Sequence, residues 1–299
     1  MPKNICITTG YKHLDIDTYA SCIAYRELLK AMGKESYAVS TAPLNGSVSD
    51  LIKQIPLGFD KYQQTQNDRF IILDVSDSSY FDKLVCHENI IEVIDHHTGF
   101  EEYWAKKSEI KTQIEKIGSV ATIIYEKYVE AERKELLTPD LCKLMIAAII
   151  DNTLNCGASI TTDRDIKAYK ELLQIGDLDG NWVQKYMESC EQVIISNLEG
   201  AIKNDTKQMN PDKLPLKFAQ ITIYNHEKVL SEFEIIKEFF HGENDWALNL
   251  ISLKDGKSYL ITDKAVSQEK LTKLLEKEFN DDIMVLEKFM LRKEIMAKC

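Results

Sequence analysis

The chain has 299 residues, with 37 Lys and Arg against 48 Asp and Glu, and therefore a formal net charge of −11. This length predicts two domains, because single cores rarely grow past about 250 residues. The acidic balance argues against a protein that binds duplex nucleic acid, since neutralising phosphates requires clustered Lys and Arg. No stretch approaches the roughly 20 apolar residues of a membrane helix, and 7 cysteines without a Cys-x-x-Cys pair indicate a reduced, cytoplasmic protein.

The first half of the chain alternates predicted strands and helices. An apolar strand at 5–9 precedes a helix whose apolar face runs from Ala20 to Met32 and which closes at Gly33. Two more apolar strands and two helical patterns follow; they span 70–73, 90–94, about 119–131 and about 138–150. This alternation predicts an α/β domain with a doubly wound, mostly parallel sheet that is covered on both faces.

The second half changes character near 190–215. A helix-like stretch of mixed charge runs into Asn210–Pro215, which is rich in turn residues. Beyond it the pattern predicts three strands and an amphipathic helix, at 217–224, 246–253, 258–261 and 267–278. We therefore predict a first domain of residues 1–190, a linker at 191–196 and a smaller α+β domain at 197–299.

Ionisable residues follow the predicted strands directly. Taken singly, each has an ordinary explanation, since Asp is favoured at helix caps and turns and a His pair in a loop is usually solvated. Together they occur where ligands collect in open α/β sheets, at the carboxyl ends of the strands. The residues are Asp15 and Asp17 after the first strand, Asp74, Ser76 and Asp77 after the second, Asp95, His96 and His97 after the third, and Asp151 at the end of an apolar helix.

Carboxylates and imidazoles that converge on one crevice would repel one another unless a cation compensates them. Mixed Asp and His ligation favours Mn²⁺, with Zn²⁺, Co²⁺ and Mg²⁺ as alternatives. So many anionic ligands predict two ions bridged by one carboxylate, about 3.5–4 Å apart, which is an arrangement that activates water against phosphorus.

Five segments carry a resemblance to a known family. Four of them resemble, in order, the four motifs of the DHH phosphoesterase superfamily, and the fifth resembles the helix entry that follows the third motif there. The four are 14–21 (Leu-Asp-Ile-Asp-Thr-Tyr-Ala-Ser), 73–77 (Leu-Asp-Val-Ser-Asp), 94–97 (Ile-Asp-His-His) and 150–153 (Ile-Asp-Asn-Thr), and the fifth is 118–126. An Asp-His-His triplet alone is a weak signal, whereas the ordered set is specific and covers the first domain.

The second domain indicates a branch of that superfamily. The chain contains no Gly-Gly pair, although many nuclease and cyclic-dinucleotide phosphodiesterase members carry a Gly-Gly-rich loop. Residues 204–209 (Asn-Asp-Thr-Lys-Gln-Met) and 291–295 (Leu-Arg-Lys-Glu-Ile) instead resemble the lysine motif and the near-terminal Ser-Arg-Lys-Lys motif of family II inorganic pyrophosphatases and related exopolyphosphatases. Without that resemblance, Arg292 and Lys293 would be interpreted as solvated surface charges.

The resemblance implies a site for two divalent ions. One ion would be held by Asp15 and Asp151 and the other by Asp17 and His96, with Asp74 bridging the two.

The same resemblance implies roles for residues around the metals. Asp95 would orient His96, and His97 would face the substrate and donate a hydrogen bond or proton to the leaving phosphate. Lys207, Arg292 and Lys293 would hold the terminal phosphate.

Two positions depart from the pyrophosphatase pattern. Tyr11 stands four residues before Asp15, where those enzymes carry a metal-binding His, and His13 lies at a different offset. The motif at 291–294 has lost a hydroxyl and one cation. The leading hypothesis is a phosphohydrolase acting on pyrophosphate or short polyphosphate. Two alternatives stay open: a phosphodiesterase on short oligonucleotides or nucleotides, and a catalytically weakened sensor of metal or phosphate. The oligomeric state is also open, a homodimer included.

Overall fold

The computed structural model describes residues 4–299, and the chain divides into two compact units between Tyr186 and Met187. The predicted boundary at residue 190 lies four residues further along the chain. The predicted linker, 191–196, forms the last turns of a helix that spans Gly180–Ser196.

The first unit contains a five-stranded sheet in which every pairing is parallel. Its strand order is β2-β1-β3-β4-β5. The strands are β1 (Ile5–Thr8), β2 (Ser36–Ala38), β3 (Arg69–Leu73), β4 (Ile90–Asp95) and β5 (Lys111–Ile114). The predicted α/β domain with a mostly parallel sheet is confirmed.

Helices connect these strands and continue beyond the sheet. They are α1 (Ile16–Ala31), α2 (Asp50–Lys53), α3 (Glu101–Ala105), α4 (Val120–Glu130), α5 (Pro139–Asn152), α6 (Asp163–Ile175) and α7 (Gly180–Ser196), with short 3₁₀ turns at Ser78–Tyr80, His87–Asn89 and Lys134–Leu136. Local sequence sets their starts: Thr138 caps α5 with Pro139 in the first turn, and Thr162 and Asp165 form a capping box on α6. The helices predicted near 20–32, 119–131 and 138–150 are therefore confirmed.

The core of the first unit is built from the strands, which are apolar along their whole length. Residues Phe70–Leu73 of β3 are 0–2% exposed, as are Val93 and Ile94 of β4. A strand buried on both faces shows no polar alternation, and for that reason the two runs indicated a covered parallel sheet. Burying them brings the ends of β3 and β4, and the polar residues that follow, to one edge of the sheet.

The second unit is a mixed sheet with helices and confirms the predicted α+β domain. Its strand order is β10-β9-β8-β7-β6; β7 and β8 are parallel, and the other neighbours are antiparallel. Its elements are α8 (Leu198–Asp205), β6 (Lys207–Gln208), β7 (Lys217–Ile223), α9 (His226–Leu230), α10 (Phe233–Phe239), β8 (Trp246–Ser252), β9 (Lys257–Ile261), α11 (Ala265–Leu275), β10 (Ile283–Leu286) and α12 (Arg292–Met296). Among the described residues, no helix has the length and apolarity needed to cross a membrane.

Gly118 permits the close packing at the start of α4, and its substitution tests that packing. A Cβ at this position would lie 2.5 Å from Cγ2 of Thr153 and 2.8 Å from Oδ2 of Asp165. We expect Gly118→Ala to lower the free energy of unfolding by about 1–3 kcal/mol, as overpacked cores do, in urea denaturation. Gly180→Ala is the control, because within residues 4–299 a Cβ there meets no atom within 4 Å. Equal losses for both variants would contradict the packing argument.

Candidate metal centre

Asp74 lies at the centre of the site, immediately after β3. Its backbone adopts the left-handed conformation, with φ of 62°, and its N–H donates to the carbonyl of Ile94 at 2.8 Å. Such a conformation is uncommon for a residue with a side chain and is concentrated at functional sites. Oδ2 accepts a hydrogen bond from the Thr18 hydroxyl at 2.6 Å. Oδ1 is buried and, among the described residues, carries no hydrogen bond; it faces Nε2 of His96 at 3.3 Å.

His96 is held with one defined nitrogen toward Asp74. Its Nδ1 lies 3.1 Å from the carbonyl oxygen of Ile117, which can only accept, so Nδ1 is the protonated nitrogen. Nε2 is therefore the nitrogen that points to the Asp74 carboxylate and is the one available to a metal. In this structure a backbone carbonyl is the hydrogen-bond partner of His96, whereas Asp95, which the resemblance implies would orient His96, lies within hydrogen-bond distance of His97.

Asp95 instead holds His97. One of its oxygens, Oδ1, accepts from the backbone N–H of His97 at 3.0 Å and lies 2.9 Å from Nδ1 of the same residue. Asp95 is fully buried, whereas the His97 side chain is 66% exposed. Its hydrogen bond with Asp95 raises the pKa of His97, and the nearby charge of Asp74 adds to this effect. The Asp-His-His triplet thus divides into a buried anchor, a buried imidazole and an exposed imidazole.

Three of these side chains fit a bound cation. Ligand atoms of Asp74, His96 and His97 lie within 4.8 Å of one another. Burial opposes charge on His96, but the adjacent Asp74 carboxylate and then the charge of Asp17 raise the pKa of His96 to about 10. Burial also acts on Asp74, yet the contact with His96 and the charge of His97 leave the pKa of Asp74 below its usual value. A proton on His96 thus supplies the positive charge that a metal would supply to Oδ1 of Asp74.

Asp15 and Asp151 lie near this cluster as carboxylates with raised pKa values. Asp15 caps α1 by accepting from the Thr18 N–H at 2.9 Å; burial, followed by the charge of Asp74, raises the pKa of Asp15. Asp151 is in the last turn of α5, with the Tyr186 hydroxyl 3.4 Å from Oδ1. Burial and the charge of Asp15 raise the pKa of Asp151 to about 7. The C-terminus of α5 also disfavours the Asp151 carboxylate, whereas Asp15 lies at a helix N-terminus, which favours its negative charge.

Asp17 is fully buried and bound to the start of α4. Its Oδ1 accepts from the Ser119 hydroxyl at 2.7 Å and the Ala121 N–H at 2.9 Å. Its Oδ2 accepts from the Val120 N–H at 2.9 Å and the Asn152 amide at 2.5 Å. Burial, then the charge of Asp74, raises the pKa of Asp17 to about 7. Both oxygens are thus used by protein donors, and ligation by Asp17 requires a donor such as the Asn152 amide to move away.

Several residues that shape the site were not predicted. Thr18 holds Oδ2 of Asp74, the Ile117 carbonyl sets the tautomer of His96, and Asn152 binds Asp17. Thr18 and Asn152 each adjoin a predicted ligand in sequence, which is a signal that could have identified them. A backbone carbonyl has no sequence signature, so Ile117 could be found only in the structure.

An open cleft of about 250 Å³ leads to the site and is lined by Asp15, Asp74 and His97. Lys12 and His13 line the same cleft. Tyr11, at the position where a metal-binding His was expected, is 41% exposed and stacks on Tyr80 with ring centroids 6.2 Å apart.

The predicted phosphate-binding cations belong to the second unit and differ in their surroundings. The Arg292 side chain is 7% exposed, and one of its terminal nitrogens donates at 2.7 Å to the Asp205 carboxylate and to the carbonyls of Asp205 and Phe218. Lys207 on β6 and Lys293 on α12 are exposed. Arg292 therefore holds α8, β7 and α12 together, and the two lysines are free to meet solvent.

Comparison with known proteins agrees with this arrangement. Residues 4–149 match the DHH family, N-terminal domain. The first unit of the chain is thus similar to the N-terminal domain of the DHH family. It is 26% identical over 231 residues to a "Probable manganese-dependent inorganic pyrophosphatase" of Bacillus licheniformis, covering 75% of this chain and 73% of the relative. A Bacillus mycoides protein of the same description is 24% identical over 282 residues, covering 91% and 88%.

Two solved structures share the fold. The "putative family II inorganic pyrophosphatase" of Methanococcus jannaschii has a TM-score of 0.61 at 20% identity and covers 96% of each chain. An "exopolyphosphatase-related protein" of Bacteroides fragilis has a TM-score of 0.54 at 13% identity, covering 99% of this chain and 90% of that one. The family match and the relatives bear out the predicted resemblance to the DHH superfamily and to its family II pyrophosphatase branch, and the solved structures share the predicted fold.

The raised pKa values predict how pH and metal act on stability. Without metal, Asp17 and Asp151 hold protons in the native state that the unfolded state releases, so stability falls as pH rises from their ordinary pKa of 3.8 toward about 7. The raised pKa of Asp15 acts in the same direction. His96 adds stability below its ordinary pKa of 6.5, and this is lost as pH rises through about 10. We expect Mn²⁺ to displace these protons on binding, so the gain in Tm with Mn²⁺ should grow between about pH 5 and pH 8.

The measurement is a set of thermal unfolding curves with and without Mn²⁺ at each pH. Asp74→Asn is the control and is expected to show a much smaller gain at every pH. An equal Mn²⁺ effect at both ends of the pH range would contradict displacement of protons by the metal.

Proposed function

We propose that this protein is a metal-dependent phosphohydrolase that cleaves the phosphoanhydride bonds of pyrophosphate or short polyphosphate. The observation that carries the proposal is the buried Oδ1 of Asp74, which faces Nε2 of His96 at 3.3 Å at the edge of an open cleft. The match of residues 4–149 to the DHH family and the relatives described as manganese-dependent inorganic pyrophosphatases support a hydrolase acting on phosphoanhydrides.

The proposed metal ligands are the five side chains predicted from the sequence. We assign two Mn²⁺ ions to Asp15, Asp17, Asp74, His96 and Asp151, with Asp74 shared between them. Bound divalent ions supply charge neutralisation for phosphate oxygens and lower the pKa of a water ligand. Asp74 is the natural bridge, because its buried Oδ1 faces Nε2 of His96 at 3.3 Å while Thr18 fixes Oδ2. Ligation by Asp17 is accompanied in this proposal by loss of its Asn152 hydrogen bond.

His97 is the proposed substrate-facing group. Asp95 holds its backbone N–H and Nδ1, so Nε2 is the nitrogen left to contact a phosphate oxygen. The raised pKa favours the imidazolium, in which Nε2 is a donor. A donor aimed at the leaving phosphate stabilises the negative charge that develops there.

The central test replaces Asp74. Asp74→Asn keeps the shape but removes the charge, and we expect phosphate release from pyrophosphate and tripolyphosphate to fall at least about 100-fold. Asp77→Asn is the matched control: Asp77 follows the same strand but its carboxylate serves the local turn at Ser79. The assay uses Mn²⁺-loaded protein, with long-chain polyphosphate and a dinucleotide as further substrates.

The outcomes of this assay distinguish the three hypotheses: a phosphohydrolase, a phosphodiesterase and a sensor. Release from the dinucleotide alone would favour a phosphodiesterase, and release from none of the substrates would favour a sensor. Activity that survives Asp74→Asn would contradict the bridging carboxylate. Mass spectrometry of the native protein would count the ions, and one tightly held ion in place of two would contradict the proposed pair.

We propose that Lys207, Arg292 and Lys293 of the second unit bind phosphate. Because Arg292 is buried and Lys293 is exposed, substitution of Arg292 should affect stability and substitution of Lys293 should affect substrate binding. Lys293→Gln is expected to raise KM with little change in Tm, because the side chain is exposed. Arg292→Gln is expected to lower the free energy of unfolding by about 1–3 kcal/mol, since it removes the cation that pairs with Asp205 and the donor to two carbonyls. Enzyme kinetics together with thermal unfolding check both, and an unchanged Tm for Arg292→Gln would contradict its structural role.

A further inference from the structure

The loop between β1 and α1 is fixed against the segment that follows Asp77. Gly10 forms an isolated antiparallel bridge with Phe81, and the N–H of Tyr11 donates to the carbonyl of Tyr80 at 2.9 Å. A Cβ on Gly10 would lie 3.1 Å from that same carbonyl oxygen, so the close approach depends on glycine. The backbone on the N-terminal side of Lys12 is thus held in one place.

The Tyr80 ring positions the side chain of Lys12. The Nζ atom lies 4.2 Å from the ring centroid, within the range of a cation–π interaction. Stacking by Tyr11 adds a second restraint on the same ring. An ammonium held in this way loses less rotamer freedom when it binds a ligand than a freely moving lysine does.

Lys12 lines the cleft of Asp74 and His97, and its charge there is not neutralised by an ion pair. Within residues 4–299, no carboxylate oxygen lies within 4.0 Å of its Nζ. Lys12 is therefore a positioned, unpaired cation at the mouth of a site rich in carboxylates.

We propose that the Lys12 ammonium binds a phosphate oxygen of the polyanionic substrate. This assignment deepens the proposed function and rests on it, because it names a substrate-binding residue of the same cleft. A polyphosphate that enters past Asp15 and Asp74 meets two carboxylates, and a fixed cation offsets that repulsion. The first unit would thus bind substrate through its own lysine as well as through the metal site.

The test measures binding separately from hydrolysis. Imidodiphosphate, a pyrophosphate analogue with a nitrogen bridge, is titrated calorimetrically into Mn²⁺-loaded protein. We expect Lys12→Gln to weaken its binding about tenfold or more, as the loss of a charge-assisted hydrogen bond does. Lys12→Arg is expected to retain most of the affinity. Mn²⁺ binding, followed by electron paramagnetic resonance, is expected to stay equal or tighten in Lys12→Gln, because a nearby positive charge has been removed.

Lys107→Gln is the matched control. Lys107 also lies over aromatic rings, 4.7 Å from the centroid of Tyr103 and 4.8 Å from that of Trp104, but it lines a different cleft beside His87. Like Lys12→Gln, this substitution removes one positive charge and a cation–π contact. Because Lys107 does not line the cleft of Asp74, the affinity for imidodiphosphate is expected to be unchanged. Thermal unfolding of every variant confirms that the fold is retained.

Three results would overturn the role of Lys12. They are an unchanged imidodiphosphate affinity in Lys12→Gln, an equal loss in Lys12→Gln and Lys107→Gln, and a wild-type protein that does not bind the analogue. A wild-type protein that binds imidodiphosphate but hydrolyses no phosphoanhydride would contradict the proposed function alone. In that case the comparison of Lys12 variants still decides whether this residue binds phosphate.

Discussion

Burial of several carboxylates at one edge of a parallel sheet is the constraint on which the rest of the first unit depends. Asp17 and Asp74 are buried almost completely, and their mutual repulsion contributes to the raised pKa of Asp17. Like charges in a medium of low dielectric constant are strongly destabilising unless protons, donors or cations compensate them. The helices, the imidazoles and the cleft around this edge can each be understood as a response to that cost.

The protein compensates the charges of these buried carboxylates in two ways. The charge of Asp17 is met by the N-terminus of α4, where two backbone N–H groups and the Ser119 hydroxyl point at one carboxylate. The charge of Asp74 is met by the Thr18 hydroxyl at Oδ2 and by the imidazole of His96, which faces Oδ1 at 3.3 Å. The hydrogen bonds of Asp17 fix the packing of α1 against α4. The arrangement around Asp74 places a carboxylate oxygen, Oδ1, where a cation can bind at the edge of the cleft.

The elements that could be predicted from sequence are those whose side chains are buried on a regular period. β3, β4, α4 and α5 follow from continuous or helical apolar patterns, and the polar residues after them marked the site. The edge strands β2 and β5 were missed, because β2 has three residues and β5 is Lys-Thr-Gln-Ile. Edge strands are stabilised by pairing with a neighbour and need no apolar run of their own, so their sequences lack the signal.

The sequence by itself determined the parallel sheet, the set of ionisable residues at its carboxyl edge and the resemblance to the DHH superfamily, because buried strands and short motifs are visible along the chain. The tertiary structure alone decided the partners of these residues. Asp95 holds His97 while the Ile117 carbonyl holds His96, and Arg292 is buried against Asp205 in spite of its position in a run of charges near the C-terminus. These partners are brought together by packing between segments far apart in the chain. Hydrogen bonds between such segments produce no periodic pattern in the sequence from which they could be predicted.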